Sequence, residues 1–61
     1  MKTAIFKVNG IEYGSYTQGQ DETFEDFRDM VYRTEAEITR EAYRKFNTPT
    51  ITTEIIERKR K

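Results

Sequence analysis

Four carboxylates fall within six residues, Asp21, Glu22, Glu25 and Asp26, and two phenyl rings, Phe24 and Phe27, are interleaved with them. Carboxylates this close together could relay a proton, attract a divalent cation, or present negative charge to a basic partner. Proton relay needs a dry cleft that raises one carboxyl pKa, which a very small domain rarely encloses. The cluster does not follow the ligand spacing of a calcium loop, and Gly10, Gly14 and Gly19 do not make a phosphate-binding loop. The chain has no Cys and no His, and its one serine, Ser15, falls in a strand-like stretch without a base nearby. A nucleophile–base pair is therefore not expected, a structural zinc site lacks its usual ligands, and neither enzymatic activity nor a metal or cofactor is expected. What remains is an anionic surface set with rings.

Four tyrosines, Tyr13, Tyr16, Tyr32 and Tyr43, offer a second chemistry, since bases stack on exposed aromatic rings flanked by Lys and Arg. The charge distribution bears on this choice. Residues 21–37 carry seven acids against two bases, a net −5, whereas residues 40–61 carry seven bases against three acids, a net +4. Acids at the start of a helix and bases at its end complement the helix dipole, and that alone accounts for part of the asymmetry. The acids beside Tyr16 would repel a phosphate backbone, because a basic stripe supplies most non-specific affinity for nucleic acid. A protein partner is expected ahead of a nucleic acid.

The element that positions these groups is the segment from Thr23 to Phe46, the one long stretch with helical periodicity. Phe24, Phe27, Val31, Ile38, Ala42 and Phe46 share one face, with Met30 and Thr34 on its flank. Thr23 followed by Asp26 resembles a capping box. Thr34 and Glu37 repeat that spacing, and Glu35 lands near the middle of the apolar face, so either an interruption or kink near Thr34 is expected or the C-terminal part of the helix packs on another subunit. Tyr32 and Tyr43 form a second stripe with Ala36 and Thr39, suited to the flank of the core or to a contact between subunits.

Lys2–Val8 alternates, and Asn9-Gly10 signals a two-residue hairpin turn because both positions favour φ > 0. That turn predicts Val8 opposite Ile11, Phe6 opposite Tyr13 and Ala4 opposite Ser15 on the helix-facing side. The other side pairs Lys7 with Glu12, Ile5 with Gly14 and Thr3 with Tyr16. Gly14 then leaves either a bulge in the strand or, together with Ile5 and Tyr16, a shallow apolar patch where a second subunit lands. Pro49 disfavours helical angles at Thr48, and Thr50–Glu57 is β-branched and alternating, with Ile51, Thr53 and Ile55 on one face. The resulting fold is α+β, β-β-α-β, a three-stranded antiparallel sheet of order 2-1-3 with one long helix on one face. Residues 1–61 form a single domain whose basic end, 58–61, is expected to fray.

Sixty-one residues with no Leu, no Trp and 34% apolar content bury little. A chain of this size hides only roughly 60% of its unfolded surface, and without disulfide or metal it gains area by oligomerising. A homodimer is expected. No apolar run approaches the roughly 20 residues of a membrane span, and no secretory signal is visible, which favours the cytoplasm.

The spacing Gly10-x-x-Tyr13-x-x-Tyr16-x-x-Gly19, followed by Asp26-Phe27 and then Thr34-x-x-Glu37-Ile38, resembles the small dimeric uracil-DNA glycosylase inhibitors of Bacillus-type tailed phages. The likeness covers residues 10–38, with a different loop length before the helix. It implies a non-catalytic dimer that imitates DNA in the bacterial host cytoplasm. Acids would stand at phosphate positions, and a hydrophobic cleft would receive the apolar residue that the enzyme pushes into the duplex. In that family a Phe-Glu pair at the helix start and a Tyr one turn later carry binding. Phe24-Glu25 preserves the pair if the loop is aligned short; with Asp26-Phe27 aligned instead, Arg28 and Val31 stand where the family has its acid and its Tyr. The partner-binding set implied is Phe24, Glu25, Phe27, Arg28, Val31, Tyr13 and Tyr16, and the dimer set is Ile5, Gly14, Tyr16, Tyr32 and Tyr43. The alternative reading is a small phage or mobile-element nucleic-acid-binding protein that uses its sheet tyrosines and basic tail. A third is an assembly module that docks through the Ile5, Gly14, Tyr16 face.

Overall fold

The computed structural model describes residues 1–57, so the expected fraying of 58–61 lies outside the described residues. Strands β1 (Lys2–Val8) and β2 (Ile11–Thr17) form a hairpin, α1 (Phe24–Lys45) follows, and β3 (Ile51–Glu57) completes an open antiparallel sheet of order β2-β1-β3. This is the α+β arrangement expected. Asn9 and Gly10 both take positive φ, 54° and 83°, as a tight hairpin turn requires. The Asn9 side chain also accepts a hydrogen bond from the Thr50 amide at 3.0 Å, and the Asn9 amide donates to the Thr50 carbonyl at 2.8 Å. The turn thereby fixes the start of β3 as well as the hairpin.

Register differs from the simple expectation beyond the first two pairs. Val8 faces Ile11 and Lys7 faces Glu12, but Phe6 then faces Gly14, Ile5 faces Ser15, Ala4 faces Tyr16 and Thr3 faces Thr17. Tyr13 is the extra residue of a β-bulge, and one inserted residue moves every later side chain of β2 to the opposite face. Gly14 and Tyr16 consequently lie on the helix side with Phe6 and Ala4, while Ile5 lies on the bare side. Of the two readings of Gly14, the bulge in β2 is present and the Ile5–Gly14–Tyr16 patch does not form. Gly14 has a packing reason instead: a Cβ there would stand 3.4 Å from Ile38 Cδ1, so the helix comes down over the glycine.

The helix runs unbroken through Thr34, and the expected interruption is absent. Thr23 caps it, with its hydroxyl accepting from the Asp26 amide at 3.1 Å. Glu35, the residue that motivated a break, points to β3 and accepts a hydrogen bond from the Thr53 hydroxyl. A carboxylate on the apolar face is tolerated because the strand beneath supplies a donor at that position. After the helix, Thr48 takes φ 48° before Pro49, an uncommon angle for a β-branched residue.

The core is small. Ala4, Phe6 and Val8 of β1 are buried with Phe27, Val31 and Ala42 of α1, and Tyr16 and Ile38 pack at its edge. As expected, Ile51, Thr53 and Ile55 share the helix-facing side of β3, opposite Val8, Phe6 and Ala4. The helix, however, lies over β1 and β2. Beta-strand β3 is left only partly covered.

Candidate functional site at the helix start

The end of β2 and the first turn of α1 are joined by a chain of hydrogen bonds through residues 16–22. The Gln18 amide donates to the Lys2 carbonyl at 2.8 Å, and its side chain both accepts from the Lys2 amide at 3.2 Å and donates to the Glu22 carbonyl at 2.8 Å. Glu22 turns back over this loop. One carboxylate oxygen accepts from the Gly19 amide at 3.0 Å and the other from the Tyr16 hydroxyl at 2.7 Å. That bond to the Glu22 carboxylate is the main cause, ahead of burial and charge, that pushes the Tyr16 phenol above its ordinary value.

Rings are layered beneath the loop. Tyr16 stacks on Phe27 with centroids 5.8 Å apart, and Phe24 tilts against Phe27 at 6.2 Å. Phe27 is wholly buried, whereas Phe24 remains exposed, with the Lys2 ammonium 5.6 Å from its ring centroid. Asp21, Glu25 and Asp26, each within three residues of Phe24 in the chain, are all exposed. Farther along, Asp29 meets Arg33 at 3.8 Å across an exposed helix turn, a pair of little energetic weight. A partly exposed apolar ring thus falls in an acid-rich stretch of the chain, with one ammonium over it.

The partner-binding set divides into three groups. Phe24, Glu25 and Arg28 are exposed at the helix start, with Tyr16 half-buried beside them. Phe27 and Val31 are core residues and are closed to any partner while the chain is folded. Tyr13 sits at the far end of the helix, where the Lys45 ammonium lies 5.8 Å from its ring. A helix of 22 residues spans about 33 Å, so Tyr13 cannot share a contact with Phe24. Of the dimer set, Tyr32 and Tyr43 are exposed on α1, Gly14 and Tyr16 face the helix, and Ile5 is half-buried on the other side of the sheet.

Three participants were not legible as such: Lys2 over Phe24, Gln18 as the tie to β1, and Glu22 as a loop organiser rather than a free surface acid. The even-numbered alternation of Lys2–Val8 places Lys2 on the helix side, which is the one sequence signal for its contact with Phe24. Among the described residues no group of His, Cys, Asp and Glu is arranged to hold a metal ion, and no helix is long and apolar enough to cross a membrane. Comparison of the chain with known protein families, curated proteins and solved structures finds no match.

Proposed function

We propose that this chain is a non-catalytic inhibitor of a DNA-binding enzyme, with uracil-DNA glycosylase as its target, acting as a dimeric DNA mimic in the bacterial cytoplasm. The observation that supports this reading best is Phe24, an exposed ring at the helix start with the exposed carboxylates of Asp21, Glu25 and Asp26 within three residues of it in the chain. Carboxylates so placed meet the basic groove that normally holds phosphates and speed encounter, while the ring supplies the desolvated contact that slows dissociation. The resemblance over residues 10–38 supplies the target class, and the burial of Phe27 favours the short alignment that keeps Phe24-Glu25 as the binding pair.

The nucleic-acid reading draws less support. A stacking platform on the sheet would need its tyrosines on the open face, and Tyr16 instead stacks beneath the loop on Phe27. The basic residues 58–61 lie outside the described residues.

A uracil-excision assay with a bacterial glycosylase tests the proposal. Excess protein should abolish excision, and Phe24→Ala should weaken inhibition at least tenfold while the fold persists. Undiminished excision at saturating protein ends this reading.

A further inference from the structure

The backbone of Lys2 is gripped from both sides by one residue. Its amide donates to the Gln18 side-chain oxygen at 3.2 Å, and its carbonyl accepts from the Gln18 amide at 2.8 Å. Strand register sets Lys2 directly opposite Glu57, so the two side chains leave the same face of the sheet, the one beneath the helix. The Lys2 ammonium donates to a Glu57 carboxylate oxygen at 3.0 Å and stands over the Phe24 ring, 5.6 Å from its centroid. One cation is thereby shared between a carboxylate and a ring face.

The Phe24 ring also tilts against Phe27 at 6.2 Å, and 46% of the residue remains exposed. A group that packs on a ring comes within about 4.5 Å of its atoms, so on the face beneath Lys2 it meets the ammonium. This contact is weak enough to open. An ammonium over an exposed ring shifts an equilibrium about two- to fivefold, and an exposed ion pair does no more. The Lys2 side chain is 38% exposed and that of Glu57 54%, so water competes for both.

We infer that Lys2 is a displaceable cover on Phe24: its ammonium screens one face of the ring in the free protein and withdraws to Glu57 when a partner takes that face. The inference rests on Phe24 as the binding ring of the proposed function, and it adds the residue that sets how readily the ring is reached. The withdrawn ammonium keeps a partner. Hydrogen bonds from Lys2 and from the amino group of Met1 hold the Glu57 carboxyl below its usual value, so the anchor is charged at neutral pH. Lysine suits a cover that must leave, because its compact ammonium is strongly hydrated and rides on a flexible stem. An arginine would stack its planar, weakly hydrated guanidinium on the ring and close it more firmly. If Lys2 served only to fasten β1 to β3 through Glu57, its removal would change stability and leave access to the ring as it was.

Access is measured without any target, from the relaxation of the Phe24 ring protons by a neutral nitroxide in solution. Lys2→Ala should raise that relaxation at least about twofold, and Lys2→Arg should hold it at or below the wild-type value. Lys7→Ala should leave it unchanged, since Lys7 meets Glu54 at 3.5 Å on the opposite face of the sheet. Should Lys2→Ala fail to fold, the Lys2 ε-methylene protons of the wild type provide the same reading, with an upfield ring-current shift that Phe24→Leu abolishes. In the uracil-excision assay Lys2→Ala should inhibit about two- to fivefold more tightly than Lys7→Ala, which makes the same change of charge, and Lys2→Arg no more tightly than the wild type. Absence of inhibition by the wild type, with the nitroxide pattern as expected, would remove the glycosylase as target and still support the cover. Equal ring access in wild type and Lys2→Ala, unshifted ε-methylene protons, or Lys2→Ala no tighter than Lys7→Ala would overturn it.

Discussion

Thr53 of β3 donates its hydroxyl to the Glu35 carboxylate of α1, joining the partly covered strand to the helix. The bond gives a polar residue a place on an apolar face, and it sets the rotation of the helix over the sheet. A double-mutant cycle with Thr53→Val and Glu35→Ala, followed by urea denaturation, should return a coupling of about 1 kcal/mol. Strict additivity of the two substitutions would show that the bond contributes nothing to stability.

Phe24 and Phe27 touch, yet their substitution should have opposite consequences. Phe27 is wholly buried, so Phe27→Ala should cost about 3–5 kcal/mol, enough to unfold much of a domain this small. Phe24→Ala removes a ring that is only partly covered and should shift the denaturation midpoint far less than Phe27→Ala while weakening inhibition of the glycosylase. Equal losses of stability from the two variants would contradict the assignment of one ring to the core and the other to the surface.

Glu57 accepts from the Lys2 ammonium and from the amino group of Met1, both at 3.0 Å. The Lys2 hydrogen bond first, and the amino terminus second, hold its carboxyl below the usual value. A lowered folded pKa contributes stability above the usual carboxylate pKa and loses it as pH falls through the lowered value. Thermal melts of Glu57→Gln should therefore match the wild type at strongly acid pH and fall below it at neutral pH. A constant offset across that range would contradict the linkage.

At the alkaline end the sign reverses for Tyr16. Its raised pKa favours the protonated phenol in the folded state, so the contribution is complete below the ordinary tyrosine value and disappears as pH rises through the raised one. Tyr16→Phe should remove this alkaline sensitivity. It should also quicken hydrogen exchange at Gly19, whose amide is held by the same Glu22 carboxylate.

Thr48 at φ 48° is a β-branched residue in the left-handed region, where such residues carry strain. Thr48→Asn keeps a hydrogen-bonding side chain and suits that angle, so it should stabilise the fold by about 0.5–1 kcal/mol. Urea denaturation measures the change; a loss of stability would mean that the Thr48 hydroxyl, which donates to the Asn47 carbonyl at 2.7 Å, outweighs the strain.

Local rules sufficed for much of this protein. Alternation in Lys2–Val8, the Asn9-Gly10 turn, the cap at Thr23, and Pro49 ahead of a β-branched run each act over a few neighbouring residues, so they and the 2-1-3 sheet could be read directly from the sequence. The face carried by Gly14 and Tyr16 could not. It depends on whether β2 inserts Tyr13 as a bulge, and that is decided by the helix coming to rest on Gly14 through Ile38, a contact between residues far apart in the chain. The same limit applied at Thr34 and Glu35, where the local pattern pointed to a break and a hydroxyl on β3 satisfied the carboxylate instead. Which of two adjacent phenylalanines is sealed and which is open was likewise settled only by packing, since a periodic pattern assigns both to one face and cannot say where the sheet beneath them ends.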